Sequence, residues 1–181
     1  MDDFFDLRYE RLSSIPRDFS KLSLLDLRTI PPLPEWLPTG DVCCIQPATR
    51  DHKDENAVWH DYWMTMEMIE DVIGIPVVLV GGVADLPHIT REPHLGVNAV
   101  GRLSFEQSLL LVATSTVGVA MDSWVAHCAG IFGKTSIYIR QDDTLEEFLT
   151  FVTINGGEVM RADTPAVEIC DAIQRGISGR I

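Results

Sequence analysis

Positive charge is scarce in this sequence. Its 181 residues carry 14 Lys and Arg against 27 Asp and Glu, a formal net charge of −13 at neutral pH. That balance argues against a protein that displaces counterions from duplex nucleic acid or rests on an anionic bilayer. Long apolar runs are missing too. No uninterrupted stretch approaches the ~20 residues of a membrane-spanning helix, and the opening MDDFFDLRYER has neither the basic flank nor the apolar centre of a signal peptide. Cysteine is sparse and unpatterned: the four cysteines make no metal or redox spacing. Cys43 and Cys44 are adjacent on an expected strand and so face opposite sides of it. Cys128 and Cys170 stand alone on expected helices. Reduced, mostly buried thiols in a soluble cytoplasmic protein are the expectation.

What is present is enough to build one well-buried domain. Apolar residues make up 46% of the chain, which places it among folded proteins and away from disordered ones. Residues 1–40 differ from the rest. Pro31, Pro32, Pro34 and Pro38 surround Trp36, so this stretch is neither helix interior nor central strand. It is expected to form an extended surface arm anchored by Trp36 and Leu37.

From residue 41 to 181 a repeated rhythm sets in. Apolar runs at about 42–46, 76–80, 97–100, 116–120, 135–139 and 158–161 alternate with helical patterns over about 60–73, 104–113, 123–132, 144–154 and 165–176. Strands alternating with helices of this length make β-α-β units with right-handed crossovers. VVLV and IYI are continuous apolar runs, as in strands covered on both faces. Gly74, Gly133 and one of Gly156 and Gly157 stand where helices should stop. The expected fold is a single α/β, Rossmann-like domain: a mostly parallel sheet of about six strands with helices on both faces, preceded by the Pro-rich arm.

The polar residues are not spread evenly over that pattern. PATRDHKDEN, GGVADLPHITREPH, GRLS, DSW and RQDDT each follow a strand. They therefore collect at the carboxyl edge of the sheet, where open α/β proteins bind ligands. Thr49, Lys53, Gly81, Gly82, Asp85, Asp122, Ser123, Trp124 and His127 are the candidate binding residues. Helix starts at that edge offer unpaired N–H groups suited to a phosphate. Plainer readings stand beside these. Asp122 and Ser123 suit ordinary helix capping, His127 a hydrogen-bonded core histidine, and Gly81-Gly82 a tight turn. Lys53 lies in a hydrophilic loop where solvated charge is the default. His52, His60 and Asp61 lack the close helical spacing of metal ligands, and neither a metal nor a cofactor is expected. No nucleophile, base and orienter stand at positions suited to a self-contained hydrolase.

Order and spacing over roughly 41–141 resemble the carboxy-terminal, donor-binding half of a GT-B glycosyltransferase of the heptosyltransferase-like family. The resemblance rests on CCIQPATRDHKDENAVW, on IPVVLVGG, on VGRLSFEQSLLLV and above all on DSWVAHCAGIFGKTSIYI. It implies that Asp122 and Ser123 sit near the phosphates of a nucleotide-sugar donor and that His127 supports the turn. It further implies that Thr49 and Lys53 reach phosphate or sugar and that Asp85 approaches a ribose.

Two departures from the family pattern accompany the likeness. The glycine after Asp-Ser is Trp124 here, and an indole at that position either blocks close backbone approach or stacks on a base or sugar. The other is that 40 proline-punctuated residues cannot build the amino-terminal Rossmann domain that supplies the catalytic base in the family. The resemblance thus implies a donor-binding half that is catalytic with a separate acceptor-binding subunit. The alternatives are a non-catalytic module that binds or sequesters a nucleotide or metabolite, and an assembly protein, such as a homo-oligomer, that uses the fold without a ligand.

Overall fold

The structure, a computed structural model, describes residues 27–48, 59, 61–89, 96–121, 123–140, 150–153 and 155–179. All six expected strands form: β1 (Cys43–Gln46), β2 (Val77–Leu79), β3 (Val97–Asn98), β4 (Val117–Met121), β5 (Thr135–Arg140) and β6 (Glu158–Arg161). They make one sheet in the order β3-β2-β1-β4-β5-β6, every pair parallel. Parallel neighbours need a crossover on each connection. The helices α1 (Tyr62–Met68), α2 (Phe105–Thr114), α3 (Trp124–Ile131), α4 (Thr150–Thr153) and α5 (Ala166–Ser178) lie in those connections or follow the last strand. Part of the helix expected over 144–154, residues 141–149, lies outside the described residues.

Period-2 alternation divides the strand side chains between two cores. Cys43, Ile45, Val77, Leu79, Val117, Val119, Ile137 and Ile139 pack on one face with Tyr62, Met66 and Ile69 and with Ile169 and Ile173 of α5. Cys44, Val78, Ala120 and Tyr138 pack on the other with Leu111 and Val112 of α2, Val125, Ala126 and Ala129 of α3, and Val152 of α4. The adjacent cysteines thus face opposite layers, as the pleat requires. Trp59, Tyr62 and Met66 are core residues, so the aromatic and Met-rich start of the first helix serves packing. Each fully buried aliphatic or aromatic side chain here contributes about 1.5–3 kcal/mol relative to exposure.

Local chemistry sets the element ends. α2 starts at Ser104, whose hydroxyl accepts the Gln107 N–H at 3.1 Å while the Gln107 side chain accepts the Ser104 N–H at 3.2 Å, a reciprocal capping box. α1 does not stop as an α-helix. It widens into a π turn, Ile69–Ile73, closed by the Gly74 N–H on the Ile69 carbonyl at 3.0 Å. The segment after β2, read from sequence as a loop, contains a 3₁₀ run, Val83–His88.

The arm has one firm anchor. Leu37 is buried in the second core, whereas Trp36 is 40% exposed and lies beneath the Arg102 guanidinium, 4.0 Å from its ring centroid. Gln107 ties the arm to α2 by donating to the Pro32 carbonyl at 3.1 Å.

Some close approaches between the layers require the absence of a side chain. A Cβ at Gly118 in β4 would stand 2.5 Å from the Cβ of Ala129, so α3 rests directly on the strand. At the end of α4, Gly156 takes the positive φ of +78°. Gly157 instead lies where a Cβ would strike the Val152 and Ser136 carbonyl oxygens. Of the two glycines, Gly156 makes the stop and Gly157 makes room.

Gly118→Val is expected to force α3 away from β4 and to lower unfolding free energy by about 1–3 kcal/mol, the usual penalty of overpacking. Urea denaturation followed by tryptophan fluorescence checks this. An unchanged midpoint would mean that α3 does not seat on β4 as described.

Candidate functional site

The strand order contains one reversal. From β1 the chain moves outward to β2 and β3, then returns to lay β4 on the other flank of β1. From β1 and β4 the chain goes on to strands on opposite flanks of the sheet, the topological switch at which open α/β sheets bind ligands. Gln46 ends β1, pairing with Ala120 of β4, and Ser123 follows the end of β4.

A buried polar brace spans that point. The Ser123 hydroxyl donates to Gln46 Oε1 at 2.8 Å. Gln46 Nε2 donates in turn to Asp85 Oδ2 at 3.4 Å, and the same carboxylate oxygen accepts the Gly82 N–H at 2.8 Å. Gln46 and Asp85 are 6% and 7% exposed. Polar groups this deep are tolerated because they are paired, and hydrogen bonds to a carboxylate are stronger than neutral ones. The brace joins the ends of β1, β2 and β4.

The two glycines after β2 differ in role. A Cβ at Gly81 would stand 2.5 Å from Asp85 Oδ2, so only glycine lets the carboxylate fold back onto the chain. Gly82 has open space around its α-carbon and contributes its N–H.

Ser123 occupies the position before α3 with extended backbone, φ −149° and ψ 165°, yet its side chain does not cap the helix. It is turned to Gln46 instead. Trp124, first residue of α3, packs its ring 5.3 Å from that of Phe105 at 60°. His127, one turn on, faces β5, its ring 5.6 Å from that of Tyr138. The structure therefore brings Ser123, Asp85, Gly81 and Gly82 together, and directs Trp124 toward α2 and His127 toward β5. Thr49, Lys53 and Asp122 lie outside the described residues, as do His52 and His60.

Gln46 is the residue that sequence reasoning passed over. Its signal was present: one polar side chain closing an otherwise apolar strand, directly before Pro47, which cannot continue the ladder. Arg102 and Arg140, half-buried or exposed, supply positive charge at the same edge after β3 and at the end of β5. The Arg102 side chain is held by the Asn98 carbonyl at 3.1 Å and by Trp36. The groove between the arm and α2, lined by Leu33, Leu37, Val42, Leu111 and Ser115, lies at the opposite, amino edge of the sheet. Among the described residues no three His, Cys, Asp or Glu side chains converge as metal ligands. No described helix is long and apolar enough to cross a membrane. The cysteines carry no disulfide among themselves. Burial pushes their thiols up, Cys44 and Cys128 to about 12 and Cys170 to about 11.

No protein-family model matches the chain, and no characterised protein sequence does either. Solved structures do. ADP-heptose LPS heptosyltransferase II of E. coli aligns with a TM-score of 0.63 at 15% identity, over 77% of this chain and 47% of that one. A family 9 glycosyl transferase from Veillonella parvula aligns with a TM-score of 0.64 at 10% identity, over 78% and 47%. The E. coli heptosyltransferase WaaC, solved with ADP, aligns with a TM-score of 0.54 at 18% identity, over 80% and 46%. The chain spans about half the length of the structures it matches. At these identities the likeness is one of fold, and at that level it meets the resemblance read from the motifs: the Rossmann-like fold of a GT-B glycosyltransferase half.

Asp85→Ala removes the acceptor for the Gly82 N–H and the Gln46 amide together. It is expected to cost about 1–3 kcal/mol of stability, measured by urea denaturation; a variant as stable as the parent would show that the brace does not hold the three strand ends. The cysteines provide a second check. With their thiols held protonated by burial, native protein at about pH 8 should react with a thiol-disulfide reagent far more slowly than the unfolded chain, which carries ordinary thiols. Labelling at equal rates would contradict the packing of both cores.

Proposed function

We propose that this chain binds a nucleotide-diphosphate sugar and serves as the donor half of a glycosyltransferase, catalytic together with a separate acceptor-binding subunit. The observation that carries the reading is the strand reversal between β1 and β4, with Ser123, Gln46 and Asp85 gathered at its carboxyl edge. Its support is the fold shared with heptosyltransferases, of which WaaC was solved with ADP.

In this reading the diphosphate lies over the first turn of α3, where backbone N–H groups and the helix dipole favour an anion. Lys53 and Thr49 reach the phosphates or the sugar, and Asp122 shapes the turn. Gly81 and Gly82 let the backbone come close, Asp85 holds that loop from within, and His127 holds α3 against the sheet. Trp124 with Phe105 forms an aromatic wall beside the ligand. The acceptor hydroxyl loses its proton to a base on the partner subunit as its oxygen attacks the anomeric carbon. The bond from that carbon to the diphosphate oxygen breaks, the configuration inverts, and a nucleoside diphosphate leaves. This chain's share is orientation of the donor and stabilisation of the departing charge.

The indole at a position that is glycine in the resembled family favours a second reading, a module that binds a nucleotide or metabolite without chemistry. The two part on whether transfer appears once a complementary Rossmann subunit is added.

Isothermal titration with UDP, ADP, GDP, dTDP and their common sugar conjugates is the direct test. One of them is expected to bind, with affinity reduced about tenfold in Lys53→Ala, the scale of one charge-assisted contact, and reduced also in Asp122→Ala, which removes the side chain that shapes the turn. Silence across the whole panel would overturn the donor-half reading and count against the second.

A further inference from the structure

The brace has a direction, and that direction constrains what the site binds. Asp85 Oδ2 already accepts the Gly82 N–H, and a carboxylate oxygen offers lone pairs, so the Gln46 group turned toward it must be the amide nitrogen. The amide oxygen is then turned to Ser123. A serine hydroxyl has one proton, and here it is committed to Gln46 Oε1 at 2.8 Å. What remains on Ser123 Oγ for anything entering the crevice is lone pairs. Turning the hydroxyl outward would leave the oxygen of Gln46, a residue only 6% exposed, without its donor, the less favourable arrangement for a buried acceptor. Gly81 maintains this order, since any side chain there would displace the carboxylate that anchors it.

We propose that Gln46 is a positioning residue: anchored by Asp85, it fixes the Ser123 hydroxyl as a hydrogen-bond acceptor, so the ligand group held at Ser123 is a hydroxyl and not a phosphate oxygen. The inference rests on the nucleotide-sugar reading and sharpens it. Phosphate recognition falls to backbone N–H groups and cations, and Ser123 reads a hydroxyl of the ribose or of the transferred sugar.

Titrations of the full chain with inorganic pyrophosphate, ADP and ADP-glucose separate these roles. Ser123→Ala should weaken ADP-glucose about tenfold while changing pyrophosphate by less than about twofold. A matching loss for ADP assigns the hydroxyl to the ribose, and an unchanged ADP affinity assigns it to the sugar. Gln46→Met, which releases the serine proton, should strengthen pyrophosphate binding about threefold. Equal weakening of all three ligands in Ser123→Ala would make Ser123 a phosphate donor and overturn the inference, leaving the nucleotide reading intact. A ligand-free measurement guards against variants that fail to fold. In the unaltered protein the Gln46 side-chain amide protons should exchange with solvent far more slowly than those of exposed Gln174, by NMR. Equal exchange would overturn the brace whatever binds. Slow exchange with silence for all three ligands would overturn an adenine-nucleotide donor, and the ligand assignment with it.

Discussion

Everything in this fold follows from the parallel pairing of its strands. Parallel neighbours cannot be joined by a tight turn, and each connection must cross the sheet. The crossovers bury both faces, which is why β1 is inaccessible along its whole length and why its two cysteines vanish into separate cores. With every strand pointing the same way, all carboxyl ends share one edge. The order β3-β2-β1-β4-β5-β6 then places a single divergence on that edge, between β1 and β4.

Close contact between layers sharpens the arrangement. Gly118 lets α3 settle on β4, and Ser136 of β5 donates to the Ala126 carbonyl at 2.6 Å from the neighbouring strand. α3 is therefore held by packing on two strands, and the Ser123 side chain is free of the usual task of capping its start. That freedom permits the bond to Gln46. A capping serine would have answered the needs of its own helix; this one connects the helix start to β1 and, through Gln46, to the loop after β2.

Charge completes the picture. An acidic chain with net charge −13 places Arg102 and Arg140 at the edge that also carries the brace. The Asp85 carboxylate is buried beneath that edge and satisfied by Gly82 and Gln46, so it orders the site from within. Trp124 and Phe105 add an apolar surface beside it. The proposed nucleotide-sugar ligand, with phosphate, sugar and base parts, would draw on helix N–H groups, the Ser123 hydroxyl and these rings together.

Much of this was legible in the residues. The six strands, the helices between them and the carboxyl-edge polar loops follow from periodicity, because side-chain alternation is a local property of the backbone. Even the two-sided burial of Cys43 and Cys44 needed no tertiary information. The motifs around Asp122-Ser123 carried the fold resemblance. The brace was another matter: Ser123 meets Gln46 across 77 positions and Gln46 meets Asp85 across 39, and no local pattern encodes such pairs. Sequence left Ser123 as a candidate helix cap and Gly156 and Gly157 as equal candidates for a helix stop. Those choices depend on which strand lies beside which, and lateral strand order is decided when separate β-α-β units pack, by contacts between residues far apart in the chain. The sequence determined what each segment becomes; the packing of the segments decided which side chains meet.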